Sequence, residues 1–182
     1  VTQFLTEEII DSMYFIPLET TDECLIDRIK KLVIYNDAFY ILDTKRIQKL
    51  MVFNKEGKFI RAIGAHGKGY GEFISAKDFV LDKQRDELLI WDNQLRKIIF
   101  YDLEGTLLKE IKVDFAASNL EMINDHILSF YIKDAEANHS ILLFNMNTNQ
   151  KTWFIDKNNY DTNFSFYSCF FQSDKTIYSS YL

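Results

Sequence analysis

Two stretches decide the fold: FYILD at Phe39–Asp43 with LMVFNKEGKFIRAIG at Leu50–Gly64, and LLIWD at Leu88–Asp92 with IIFYDLEGTLLKEIK at Ile98–Lys112. Laid over one another, they match in apolar positions, in the closing aspartate and in an Asn/Asp-x-x-Gly turn. A looser third copy, ILLFNMNTNQKTWFI, runs from Ile141 to Ile155. A period of about 40–50 residues belongs to propeller blades or to helical arrays, and strand chemistry chooses between them. The segments are short, rich in Val, Ile, Phe and Tyr, and bounded by turn residues, which reads as strands. In Asn54–Gly57 and Asp102–Gly105 the Asx side chain can bond its own backbone while glycine accepts positive φ, the chemistry of a tight hairpin.

The expected architecture is therefore all-β, a partial β-propeller of four-stranded antiparallel blades. Blades are expected over 29–63, 78–113 and 119–155, and an incomplete fourth over 167–182, all in one propeller-like domain. Only Thr6–Ser12 reads as a short helix, and it is too short to be stable alone. Met13–Glu19 alternates like a strand, and Pro17, the only proline, suits a strand end. Its expected role is to complete the last blade and so remove a free sheet edge.

Composition narrows the function. With a formal charge of −6 and a sequence pI near 5.1, the chain lacks the basic footprint that nucleic acid requires. No apolar run approaches the roughly 18–20 residues of a membrane span, and Val1 onward does not read as a signal peptide. Cys24 and Cys169 make neither a disulfide framework nor a zinc site. They are expected as buried thiols, with a single long-range disulfide the alternative in an exported protein.

RAIGAHGKGYGEFISAKDFVLD, Arg61–Asp82, resembles the blade-to-blade connection of NHL-like six-bladed β-propellers of the bacterial cell envelope. There, a strand ending in IG leads into G-x-G-x-G-E-F and then a strand beside the central axis. Tyr70 stands where a proline is usual. PLETTDECLIDRIKKLVIYND, Pro17–Asp37, is similar to the opening of those proteins. The resemblance is strongest over Ile29–Val113 and implies a propeller, of which this chain is about half. It implies export, often as a lipoprotein to the periplasm or cell surface, and no fixed activity.

Loops joining second to third strands share a face with the blade-to-blade connections. That face collects Lys45, Arg46, Lys49, His66, Lys68, Arg96 and Lys97, and the opposite one Asp37, Glu56, Asp86, Glu87, Asp102 and Glu104. One end of an acidic protein thus reads as relatively basic and suited to an anionic ligand such as an acidic glycan or a phosphate-bearing polymer, with ordinary solvated loop charge the alternative. Lys45, Arg46, His66, Lys68, Tyr70 and Arg96 are the expected ligand-binding residues. Gly67, Gly69 and Gly71 do not match G-x-G-x-x-G, and no helix follows to face a phosphate. Backbone permissiveness in a tight crossover explains them better, with Glu72 and Lys68 pairing or shaping the loop. His66, His126 and His139 lack metal-ligand spacing. Asp43 and Asp92 recur at equivalent strand ends, which favours a structural role. Trp91 is expected in the core and Trp153 on an exposed outer strand.

No catalytic set, metal site or cofactor is implied. The expected function is a non-catalytic binding module whose ligand is a glycan, peptide or protein, with self-association through blade edges. The alternative is a metal-dependent lyase or lactonase-like propeller enzyme with part of its site outside this chain. A third reading is a structural subunit that assembles through its edges.

Overall fold

The computed structural model describes residues 13–45, 48–132, 139–156, 169–173 and 176–180. Its frame is three four-stranded antiparallel sheets. The first blade is β1 Ile29–Tyr35, β2 Ala38–Asp43, β3 Leu50–Asn54 and β4 Phe59–Ile63. Two two-residue strands follow in the connection, β5 Ala65–His66 and β6 Glu72–Phe73, paired in parallel. The second blade is β7 Ala76–Asp82, β8 Glu87–Asp92, β9 Lys97–Asp102 and β10 Leu107–Lys112. The third is β11 Asn119–Met122, β12 Ile127–Tyr131, β13 His139–Asn145 and β14 Lys151–Asp156. A hairpin of β15 Cys169–Ser173 and β16 Thr176–Ser180 comes last. The fold is a partial β-propeller.

Each sheet is ordered as its chain runs, so every blade is a meander of hairpins. Turn chemistry sets them. Asn54 Oδ1 accepts the Glu56 and Lys58 amides at 3.1 and 2.8 Å, and Gly57 takes φ +80°. The Tyr35–Ala38 turn holds Asn36 and Asp37 at φ 48° and 56°, where both central residues need positive φ.

Period-2 alternation gives each blade two faces. Tyr40, Leu42, Leu50 and Val52 pack against Phe79, Leu88, Ile90, Ile99 and Tyr101 between blades one and two. Between blades two and three lie Leu89, Trp91, Ile98 and Phe100 against Phe115, Leu128, Phe130 and Phe144. Trp91 is fully buried, edge-on to Phe130 at 5.1 Å, and its Nε1 donates to the Ala117 carbonyl at 2.9 Å. That bond satisfies the one polar group of the ring in the core. Truncating such a side chain costs about 3–5 kcal/mol. Trp153 is exposed on β14.

Met13–Glu19 is not a strand. It runs as irregular chain along the first blade, where the Glu19 amide donates to the Gly57 carbonyl at 2.7 Å and Glu19 Oε2 accepts the Phe59 amide at 2.9 Å. Pro17 removes one donor from this short run, and none of the described strands pairs with it. Leu18, Cys24 and Ile26 then cover Ile41, Met51 and Phe53 on the outer face of blade one. Cys24 is a buried free thiol that donates to the Glu19 carbonyl at 3.2 Å. The helix expected at Thr6–Ser12 lies outside the described residues.

Candidate functional site

The loops after β2, β4 and β8 all leave the same end of the blades, because strand direction alternates within each meander. This crossover end is where the candidate site lies. Its loops are held by the aspartates that close β2 and β8. Asp43 Oδ2 accepts the Asp27 and Arg28 amides at 2.5 and 3.0 Å, and Oδ1 accepts the Lys45 amide at 2.9 Å. Asp92 repeats the device: Oδ2 accepts the Ile74 and Ser75 amides at 2.6 and 3.2 Å, and Oδ1 those of Gln94 and Leu95 at 2.8 and 2.9 Å. Both carboxylates are fully buried. Each ties the chain entering its blade to the turn leaving the second strand, a structural role. In blade three, pairing of Ile127 with Asn145 aligns β12 with β2, whose Ala38 pairs with Asn54. The position after Tyr131 that matches Asp43 is then Ile132, so the described residues of the third blade lack this lock.

The glycine loop is pinned from beneath. Lys97 Nζ donates to the Gly69 carbonyl at 2.9 Å and lies 2.7 Å from Glu110 Oε2, which also accepts the Gly71 amide at 3.0 Å. The Tyr101 hydroxyl donates to the Gly71 carbonyl. Burial pushes the Tyr101 phenol up to about 12. Burial also works to raise Glu110, but bonds from Lys97 and the Gly71 amide overcome it and hold the carboxyl below its ordinary value. Lys97 is therefore not a surface charge: it is buried and neutralised inside the loop's footing. Glu72 shapes the loop through its Oε2, which accepts the Gly69 amide at 2.8 Å. At Gly71, φ is +75° and a Cβ would meet the Leu107 side chain at 2.4 Å, so glycine is required there.

On this footing the loop exposes His66, Lys68 and Tyr70, and the adjoining turn exposes Arg96 at φ 52°. The Lys97–Gly69 bond is what brings those two loops together. Lys45 stands apart on the first blade, paired with Asp27 at 3.1 Å. Arg46 lies outside the described residues. Lys49 spends its ammonium on the Glu23 carbonyl at 3.1 Å. The basic character of this end thus rests on fewer free charges than sequence counting implies.

Beside these loops, the innermost strands β1, β7 and β11 come together and carry a charged cluster that sequence reading did not single out. Lys31 Nζ lies 3.1 Å from Asp78 Oδ1 and 3.5 Å from Glu121 Oε2. Asp78 Oδ2 accepts the Leu120 amide at 2.9 Å. One lysine of blade one thereby touches blades two and three. Burial lowers the Lys31 ammonium, but the charges of Asp78 and Glu121 outweigh it and leave the group above its ordinary value. Burial leads for Glu121 and raises it. The available signal was register: Lys31 pairs opposite Leu42, and Asp78 opposite Trp91, at matching steps of the repeat.

Among the described residues no three His, Cys, Asp or Glu side chains stand close enough to hold a metal ion. None of their helices is long and apolar enough to cross a membrane.

A family model described as a domain of unknown function, DUF4934, matches residues 2–181. The chain belongs to this family. No curated protein matches it in sequence. Among solved structures, the DUF4934 chain is similar to a presumed exported protein of Bacteroides fragilis, with TM-score 0.77 and 21% identity. That match covers 93% of this chain and 49% of the other. A member of the DUF4221 family from Bacteroides vulgatus matches with TM-score 0.54 and 11% identity, over 75% of this chain and 45% of the other. The DUF4934 chain therefore spans about half the length of these two proteins. At such identities the likeness is one of fold.

Proposed function

We propose that this chain is a non-catalytic binding module of the bacterial cell envelope that holds its ligand at the crossover end. The observation that carries the reading is the footing of that end. Two buried aspartates and a buried lysine–glutamate pair fix the loop backbones, while His66, Lys68, Tyr70 and Arg96 remain exposed above them. Loops positioned by a rigid scaffold are where recognition residues concentrate. Exposed Lys68 and Arg96 beside an exposed tyrosine ring suit an anionic, ring-bearing ligand such as an acidic glycan, with the sugar face stacked on Tyr70 and its carboxylate met by the cations. Lys45 extends the same end on blade one, and Arg46 belongs to the proposal from the sequence alone. Kinship with NHL-like six-bladed propellers and export, as a lipoprotein at the periplasmic or outer surface, belong to the same proposal. The presumed export of the Bacteroides fragilis protein accords with it.

Titration calorimetry with uronic-acid oligosaccharides tests the proposal. The expected result is saturable binding that weakens about ten-fold in Lys68→Ala and Tyr70→Ala, a loss of about 1.4 kcal/mol each. Absence of binding to any acidic oligosaccharide, or binding that ignores both substitutions, would overturn it.

A further inference from the structure

Blades one and two carry the same lysine hook, and only one of the two is built into the core. Asp43 bonds to Lys49 as Asp92 pairs with Lys97, so the lysines stand at one step of the repeat. Each spends its ammonium on a carbonyl of the chain entering its own blade: Lys49 on Glu23 at 3.1 Å, Lys97 on Gly69 at 2.9 Å. The residue before each lysine is left-handed, Gln48 at φ 49° and Arg96 at φ 52°. The two turns share that backbone feature and differ in what secures the hook.

The difference is a carboxylate. On β10 Glu110 pairs with Ile99, and the matching step of blade one pairs Ala62 with Met51. Glu110 lies 2.7 Å from the Lys97 ammonium and also accepts the Gly71 amide at 3.0 Å. A buried ammonium needs such a counter-ion, and Ala62 offers none. Lys97 is accordingly buried, whereas Lys49 is half-buried and its bond to Glu23 is open to water. A bond exchanged freely with water holds a loop weakly, while a charged donor in a dry footing holds its acceptor firmly. The glycine loop is thus fastened to the Arg96 turn more firmly than the entry loop of blade one is to its own turn.

We infer that Lys97 is the positioning residue of the ligand site, setting Lys68 and Tyr70 against Arg96 without touching the ligand, and that the ligand therefore centres on blade two. The inference rests on the reading of the crossover end as a binding site. Fixing the two loops before the ligand arrives removes part of the ordering cost that binding otherwise bears. Lys49, the equivalent residue of blade one, has no such part in binding.

Lys97→Met alone strands Glu110 without its cation, so the test combines Lys97→Met with Glu110→Gln. The pair stays net neutral, keeps an acceptor for the Gly71 amide and removes the hook on Gly69. Calorimetry with uronic-acid oligosaccharides is expected to show about ten-fold weaker binding in the double variant. Its salt dependence stays that of the wild type, because no charge that meets the ligand is gone, whereas Lys68→Ala flattens it. Lys49→Met leaves the affinity within about two-fold. Amide exchange reads the hook without any ligand. The Gly67 and Glu72 amides, bonded to the Phe73 and Gly69 carbonyls, are expected to exchange about ten-fold faster in the double variant. Unchanged exchange would overturn the inference whatever binds, as would an equal loss of affinity in Lys49→Met or a flattened salt dependence in the double variant. Faster exchange in a protein whose wild type binds no such oligosaccharide would sustain the hook and overturn the acidic-glycan reading alone.

Discussion

Replacing Asp92 with alanine removes the acceptor for four backbone amides: Ile74, Ser75, Gln94 and Leu95. Leaving one buried amide unpaired costs about 1–3 kcal/mol. Gln94 is exposed, so water replaces much of its bond, and Leu95 is only half-buried. Ile74 and Ser75 are half-buried too, so these two and Leu95 share most of the loss beside a fully buried carboxylate. The summed effect is about 3–4 kcal/mol, a large fraction of the roughly 5–15 kcal/mol that holds a domain folded. It corresponds to a fall of about 8–12 °C in Tm for a chain of this size. Asp92→Asn keeps one acceptor oxygen but turns an amide donor towards donors, and loses about half as much or more. Urea denaturation followed by the fluorescence of buried Trp91 measures both. Asp102→Ala is the comparison: its carboxylate also accepts an amide, from Thr106 at 2.7 Å, but in an exposed turn, and its loss is about 1 kcal/mol. If Asp92→Ala costs less than Asp102→Ala, the aspartate does not lock the blade and the reasoning fails.

Gly71→Ala forces a Cβ into the Leu107 side chain at positive φ and loosens the loop's seat, with an expected loss of about 2–3 kcal/mol by thermal melt. Glu110 and Glu121 respond to pH with opposite sign. The folded state lowers Glu110 from 4.5, so its stabilisation is full above that value and is lost as pH falls through the lowered one; Glu110→Gln flattens this acid limb of the stability curve. Glu121 is raised by burial, so its contribution declines as pH rises from 4.5 through the raised value, and Glu121→Gln removes that decline in urea midpoints measured between pH 4 and 8. In a spectrophotometric titration Tyr101 ionises near 12, and Tyr101→Phe deletes that step.

The blades were legible because their signals are local. Apolar alternation, Asx–Gly turns and a repeated aspartate each act over a few residues, and together they marked an all-β repeat. Repetition also separated Asp43 and Asp92 from catalysis. What escaped was any feature that depends on which element lies beside which. Lys97 reads as a loop cation until Glu110, on the neighbouring strand, is seen beneath it. Lys31, Asp78 and Glu121 lie far apart in sequence, and only the meeting of three inner strands makes them one cluster. Met13–Glu19 has the alternation of a strand, yet a strand also needs a partner edge, which periodicity does not supply. Backbone freedom was expected of Gly67, Gly69 and Gly71 alike, but of the three only Gly71 takes a positive φ, while a Cβ on Gly67 or Gly69 would meet the Glu72 carboxylate.

Ile132, standing where two earlier blades carry an aspartate, gives the arc a direction. Repeated units that touch only their neighbours open from the least secured one. The bolts at Asp43 and Asp92 hold the first two blades, so among the described blades opening is expected to begin in the third, resisted by the Trp91–Phe130 seam and by the ties of Leu120 to Asp78 and of Glu121 to Lys31. A protease that samples such openings meets β11–β14 first and leaves a trimmed core containing β1–β10. Wear along this chain has a leading edge, and a single missing carboxylate marks where it starts.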